Sequence, residues 1–124
     1  MLLRYRASMA VHDAFGIIVT IVAAAGALGA IVSLTRPQLL PAVRVYLRLA
    51  VVVVAIQVVI GIVLVITGSR PAQGLHWFYG AATLVALPLA MWIGSRLSAR
   101  EEPLWVVGGA VATVLFALRA IGTG

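Results

Sequence analysis

The stretch that decides the fold is residues 14–34, AFGIIVTIVAAAGALGAIVSL, which contains no charged residue. A helix needs about 20 consecutive apolar residues to cross the hydrocarbon core of a bilayer, and this run is long enough. The sequence Thr35-Arg36-Pro37 follows it directly and has the turn chemistry that ends a helix. The run therefore predicts a transmembrane helix.

Three more apolar runs of similar length follow, and short loops separate them. Arg48 lies near the start of the second run, and Pro88 lies inside the third, where it should bend the helix. Pro103 suits the first position of the fourth helix. Helices joined by short loops favour an all-α membrane protein, a four-helix up-down-up-down bundle. We expect one domain over residues 1–124, with transmembrane helices at about 12–34, 45–67, 75–95 and 103–121.

The composition supports a membrane environment. Hydrophobic residues make up 64% of the chain and charged residues 10%, against about 45–50% and about 25% in soluble domains. A small soluble core cannot bury that much apolar surface, so we expect the lipid bilayer as a partner. The absence of cysteine excludes disulfides and thiolate metal sites.

All nine basic residues are arginines, and they lie between or beside the apolar runs. Arginines at such positions mark loops near lipid headgroups, so we do not expect a nucleic-acid partner. We expect a multi-pass protein of the cell (plasma) membrane. In an up-down bundle both termini lie on one side of the membrane, and the other side carries more arginines. The positive-inside rule then favours both termini on the outer side. The richer side holds Arg36, Arg44, Arg48, Arg96 and Arg100, and the other holds Arg4, Arg6, Arg70 and Arg119.

The only two histidines, His12 and His76, open the first and third helices. Those helices run parallel in an up-down bundle, so the two imidazoles should lie at a similar depth. Each histidine is followed four residues later by a glycine, Gly16 or Gly80, one turn along the same helix face. A glycine there leaves room for a flat macrocycle beside the imidazole. The pattern fits the two axial ligands of a haem iron.

Other interpretations of these residues remain open. A histidine at a helix end can be an interfacial polar group, and small residues at helical spacing also serve helix packing. The two histidines could instead hold copper or another metal. Arg70 is the best-placed cation for a haem propionate, and Gln57 could form an interhelical hydrogen bond or a polar contact with the cofactor.

Residues 57–65, QVVIGIVLV, followed by Gly68, Pro71 and the pair Leu75-His76, resemble the haem A synthase family. In that family each half is a four-helix bundle with histidines on two helices, and a similar glutamine segment and Gly-Pro loop lead to the second histidine. The resemblance covers about residues 10–85. It implies that His12 and His76 are the axial ligands of one haem near the outer membrane surface.

The chain also departs from the family pattern. Met9 stands in place of a glutamate before the first histidine, and Asp13 stands in place of an arginine after it. Only one half is present, and the paired cysteines of the outer loop are absent. The resemblance therefore implies a protein that holds haem rather than a working synthase.

Three functional hypotheses follow from the sequence. The first is a small membrane b-type cytochrome with bis-histidine haem b, active in electron transfer or haem handling and not an enzyme on its own. The second is a cofactor-free accessory subunit of a respiratory or photosynthetic membrane complex. The third is a half-size enzyme, similar to haem A synthase, that acts as a dimer. Other membrane subunits or a second copy of the chain are the expected protein partners.

Overall fold

The computed structural model describes residues 2–68 and 73–124, apart from the side chains of Tyr5 and Ser8. Within those ranges the chain forms four long helices and no strand. A short 3-10 helix, Pro37–Leu39, connects the first two long helices. The long helices are α1 (Leu2–Thr35), α2 (Leu40–Ile66), α3 (Leu75–Ser95) and α4 (Glu102–Thr123).

The first two helices begin earlier than the sequence predicts. Helix α1 begins at Leu2 rather than near residue 12, because residues 2–11 contain no glycine or proline that would stop it. Helix α2 begins at Leu40 rather than Val45, since Pro41 lies in its first turn, where a missing N–H group costs little. With 34 residues, α1 is about 51 Å long, well beyond the ~30 Å of a hydrocarbon core.

Small residues line much of the interior of the bundle, where they pack around Leu47, Leu87 and Val106. Ala23, Ala27 and Ala30 of α1 are buried, and Ala90 of α3 lies against Gly109 of α4. A Cβ atom added at Gly109 would lie only 2.5 Å from the Cβ of Ala90. Small interfacial residues of this kind let helix backbones approach closely, as they do in membrane bundles.

Many other large aliphatic side chains point outward. Ile21 is 63% exposed and Leu28 is 66% exposed, although both belong to the most apolar run of the chain. All four helices are long and apolar enough to cross a membrane. An apolar exterior around a core in which small residues line the helix contacts is consistent with a membrane protein.

Contacts between helices bring four segments together at one end of the bundle. Gln57 of α2 reaches the His12 turn of α1, and the nitrogen of Gln73, just before α3, donates to the carbonyl oxygen of Thr123 in α4. The early part of α1 also approaches the end of α4, since a Cβ atom at Gly16 would lie 3.9 Å from Cγ1 of Ile121, so the four segments meet at this end. His12 and His76 both lie in this region.

Candidate histidine site

The imidazoles of His12 and His76 lie side by side. Their ring centroids are 6.1 Å apart, and the ring planes meet at 67°. Both residues are half-buried, His12 in α1 and His76 in the first turn of α3. Residues far apart in sequence thus form a histidine pair, which we call the histidine site.

A backbone carbonyl orients His76. Its Nδ1 donates a hydrogen bond of 2.8 Å to the carbonyl oxygen of Ala120 in α4. Since a carbonyl oxygen only accepts, Nδ1 carries the hydrogen, and Nε2 of the neutral ring keeps a free lone pair. This is the arrangement by which proteins fix the tautomer of a metal-binding histidine. Gly124 lies against the same ring, since a Cβ atom there would be 3.1 Å from Cε1 of His76.

The ring of His12 is held by packing rather than by hydrogen bonds. Its Nδ1 is buried and has no hydrogen-bond partner within the described part of the chain. Its Cε1 faces Gly61 of α2, where an added Cβ atom would lie 3.2 Å away. A buried ring nitrogen without a partner is costly to a protein. It is also a nitrogen that a ligand can use.

Gln57 fixes the backbone beneath the His12 ring. Its Nε2 donates a hydrogen bond of 2.9 Å to the carbonyl oxygen of His12, and its Oε1 is buried without a partner in the described residues. A Cβ atom at Gly16 would lie 3.3 Å from Nε2 of Gln57. The carboxamide of Gln57 therefore occupies the space beside Gly16. The sequence had predicted that this space is open for a macrocycle.

The other predicted site residues have different surroundings. A Cβ atom at Gly80, one turn beyond His76, would meet nothing within 4 Å, so the space beside this glycine is open. Arg70, which we expected to pair with a propionate, lies outside the described residues. A different arginine, Arg119 of α4, lies one residue before the Ala120 carbonyl and places its guanidinium 6.0 Å from the ring centroid of Tyr79.

The centroid separation of the pair equals that of two imidazoles on one metal ion, and it also lies in the range of about 4.5–7 Å of ordinary edge-to-face ring contacts. Two imidazoles that bind in line, each through a nitrogen at about 2.0–2.1 Å from the metal, have ring centroids about 6 Å apart. The observed separation of 6.1 Å agrees with that value. The described residues contain no group of three or more histidine, cysteine, aspartate or glutamate side chains that could hold a metal alone. Axial ligation of a haem iron needs two imidazoles from the protein, which is the number that this site offers.

Sequence reasoning did not identify the Ala120 carbonyl or the contact of Gly61 with His12. A main-chain acceptor has no signature in a sequence, because every residue carries one. Gly61 lies four residues after Gln57, on the same face of α2, and that spacing was the available signal.

No protein-family model, curated protein or solved structure matches this chain. The resemblance to the haem A synthase family stays a prediction, and a functional proposal must be supported by the residues themselves.

Proposed function

We propose that this chain is a small membrane b-type cytochrome, in which His12 and His76 bind one haem b as axial ligands. The observation that carries the proposal is the 6.1 Å separation of the two imidazoles, which come from different helices. Each histidine has only the other as a histidine partner, since the sequence contains two histidines and no cysteine.

Membrane placement is part of the same proposal. The four helices cross the plasma membrane as an up-down-up-down bundle, with both termini outside. The length and apolar character of each helix support this arrangement. So does the order of contacts, because Gly16 lies against Gln57 whereas Gly26 lies against Leu47, so that α1 and α2 run in opposite directions. The excess length of α1 leaves its first turns, with Arg4 and Arg6, beyond the hydrocarbon core.

Each residue near the pair has a definite task in this proposal. The carbonyl oxygen of Ala120 accepts the hydrogen bond of His76 Nδ1, so Nε2 would be the nitrogen that holds the haem iron. Gln57 and Gly61 position His12 from α2. When bound, haem supplies one-electron redox chemistry. If both imidazoles held the iron, no coordination position would remain for oxygen, and this would favour electron transfer or haem handling.

The test is a reduced-minus-oxidised absorption spectrum of the protein purified in detergent from haem-sufficient cells. The native chain is expected to show the bands of b-type haem at one haem per chain. His12→Ala and His76→Ala should each remove most of the bound haem. Val11→Ala and Leu75→Ala are matched controls, since each lies beside one histidine and is more than half exposed.

A haem-free native protein, or haem that is retained by both histidine variants, would reject the proposal. A haem-free protein that purifies with other membrane subunits would instead support the cofactor-free accessory subunit. The large exposed aliphatic surface of the chain would then contact partner helices as well as lipid.

A further inference from the structure

A second candidate site lies at the arginine-rich end of the bundle, away from the histidines. A cavity of about 400 Å³ opens there between α2, α3 and α4. Ligand pockets commonly enclose about 300–1,000 Å³, so the cavity is large enough for part of a lipid-sized molecule. It contains none of the residues of the histidine site.

The lining of this cavity changes from polar to apolar along all three helices. Its polar end carries Arg44 on α2, Ser95 on α3 and Glu102 on α4. The lining becomes apolar within about one turn of these polar residues or of Arg48, toward the middle of each helix. The apolar end is formed by Val51, Pro88 and Val106. A molecule that fits must therefore have a polar head and an apolar tail.

The charge at the polar end selects an anionic head. Arg44 and Arg48 both line the cavity, and they lie one turn apart on the same face of α2. Glu102 forms an ion pair with Arg44 and offsets one positive charge. Arg48 makes no ion pair within the described residues, so the cavity keeps a net positive charge.

Hydrogen-bond donors are also left over at this end. The Nε of Arg44 is buried and has no acceptor in the described part of the chain, although its Nη2 reaches Glu102. The guanidinium fork of arginine matches the oxygens of a phosphate group. Trp92, whose ring lies 4.5 Å from the guanidinium carbon of Arg96, closes the side of the cavity as an interfacial aromatic residue.

We infer that this cavity binds an anionic phospholipid, with its phosphate on Arg44 and Arg48 and an acyl chain along Val51, Pro88 and Val106. The inference rests on the membrane placement proposed above and not on haem. Surface arginines attract anionic lipids in general. The distinctive claim is that Arg48 binds the lipid phosphate inside the cavity, so that its loss changes the lipid beside Trp92 more than the loss of an arginine at the same end outside the cavity.

Trp92 provides the reporter for the test. The chain has three tryptophans, and replacing Trp77 and Trp105 by phenylalanine leaves Trp92 as the only one. This variant is reconstituted into phosphatidylcholine vesicles that contain increasing fractions of dibrominated phosphatidylglycerol or dibrominated phosphatidylcholine. Bromine quenches a tryptophan that it contacts. Trp92 is 56% exposed and also meets bulk lipid, so the cavity is reported by the difference between the two brominated lipids and its dependence on Arg48.

We expect the anionic brominated lipid to quench Trp92 at about fivefold lower mole fraction than the zwitterionic one, the factor that one arginine near the surface supplies. Arg48→Gln should remove this preference. Arg36→Gln, which removes one charge from the exposed connection before α2, should keep it. Excess inorganic phosphate should leave the preference unchanged, because a free anion lacks the apolar tail.

Equal quenching by the two lipids would overturn the lipid site and leave the membrane placement intact. A loss of preference in Arg36→Gln as large as that in Arg48→Gln would also overturn it, since any surface charge would then suffice. Loss of the preference with inorganic phosphate would assign the arginines to a free anion instead. If neither lipid quenches Trp92, the membrane placement of the proposed function fails together with the lipid site.

Discussion

Gln57 donates a hydrogen bond from Nε2 to the main-chain carbonyl oxygen of His12, over 2.9 Å, and so joins α2 to the turn of α1 that carries an imidazole. At the same place Oε1 of Gln57 and Nδ1 of His12 are both buried without partners in the described residues. Stable proteins rarely leave buried polar atoms unpaired, and such atoms often mark a site that a ligand completes. The histidine site has this character.

Gln57→Leu tests whether Gln57 stabilises the fold or positions His12 for haem binding. The change removes a hydrogen bond worth about 1 kcal/mol, but it also removes the buried Oε1, which has no partner in the described residues. We therefore expect the free energy of unfolding to change by less than about 1 kcal/mol. Haem content should fall, because α2 no longer fixes the turn that carries His12. Thermal unfolding and a haem assay per chain measure the two effects. Gln38→Leu, at an exposed position of the 3-10 helix, is the control. Full retention of haem in Gln57→Leu would show that Gln57 does not position the ligand.

Gly80→Leu tests whether the open space beside this glycine belongs to the haem. A side chain at Gly80 meets nothing within 4 Å of its Cβ atom, and leucine ranks only slightly below alanine, which favours a helix by about 0.8–1 kcal/mol over glycine. The haem-free protein should therefore be at least as stable as the native chain. The haem content should nevertheless fall, since the leucine fills space next to His76. Gly108→Leu, also with nothing within 4 Å, should keep its haem. Equal haem content in Gly80→Leu and Gly108→Leu would contradict the prediction that haem occupies the space beside Gly80.

Two neighbouring glycines of α4 give a test of the helix packing. Gly109→Ala places a Cβ atom 2.5 Å from that of Ala90, so α3 and α4 must move apart at a cost of about 1–3 kcal/mol. Gly108→Ala meets open space and should be neutral or stabilise the chain by about 0.5–1 kcal/mol. Thermal unfolding in one detergent, followed by circular dichroism, compares them. Similar unfolding temperatures for the two variants would mean that α3 and α4 do not pack through Gly109.

Most of the helical fold could be predicted from the distribution of charge. The run at residues 14–34 has no charged residue, and Gly68 and Pro103 lie at the ends of helical segments where turn chemistry places them. The starts of α1 and α2 could not be placed in the same way. Arg4 and Arg6 do not end a helix, and Pro41 is compatible with a first turn as well as with a loop.

The candidate site could be predicted only in outline. Two histidines at matching depths on parallel helices led to the expectation of a pair, and the rings do lie 6.1 Å apart. The neighbour of Gly16 could not be read from the sequence, because only the packing of α2 against α1 brings Gln57 there. The ion pair of Arg44 with Glu102 likewise depends on how α2 meets α4.

The most direct test of the histidine site is electron paramagnetic resonance of the oxidised, purified protein. Two imidazoles on one ferric iron give a low-spin signal, and loss of either imidazole opens a coordination position. The native chain should give a low-spin signal, and His12→Ala or His76→Ala should convert any remaining haem to high spin. A native protein with no haem, with high-spin iron, or with a low-spin signal that survives in both variants would contradict ligation by His12 and His76.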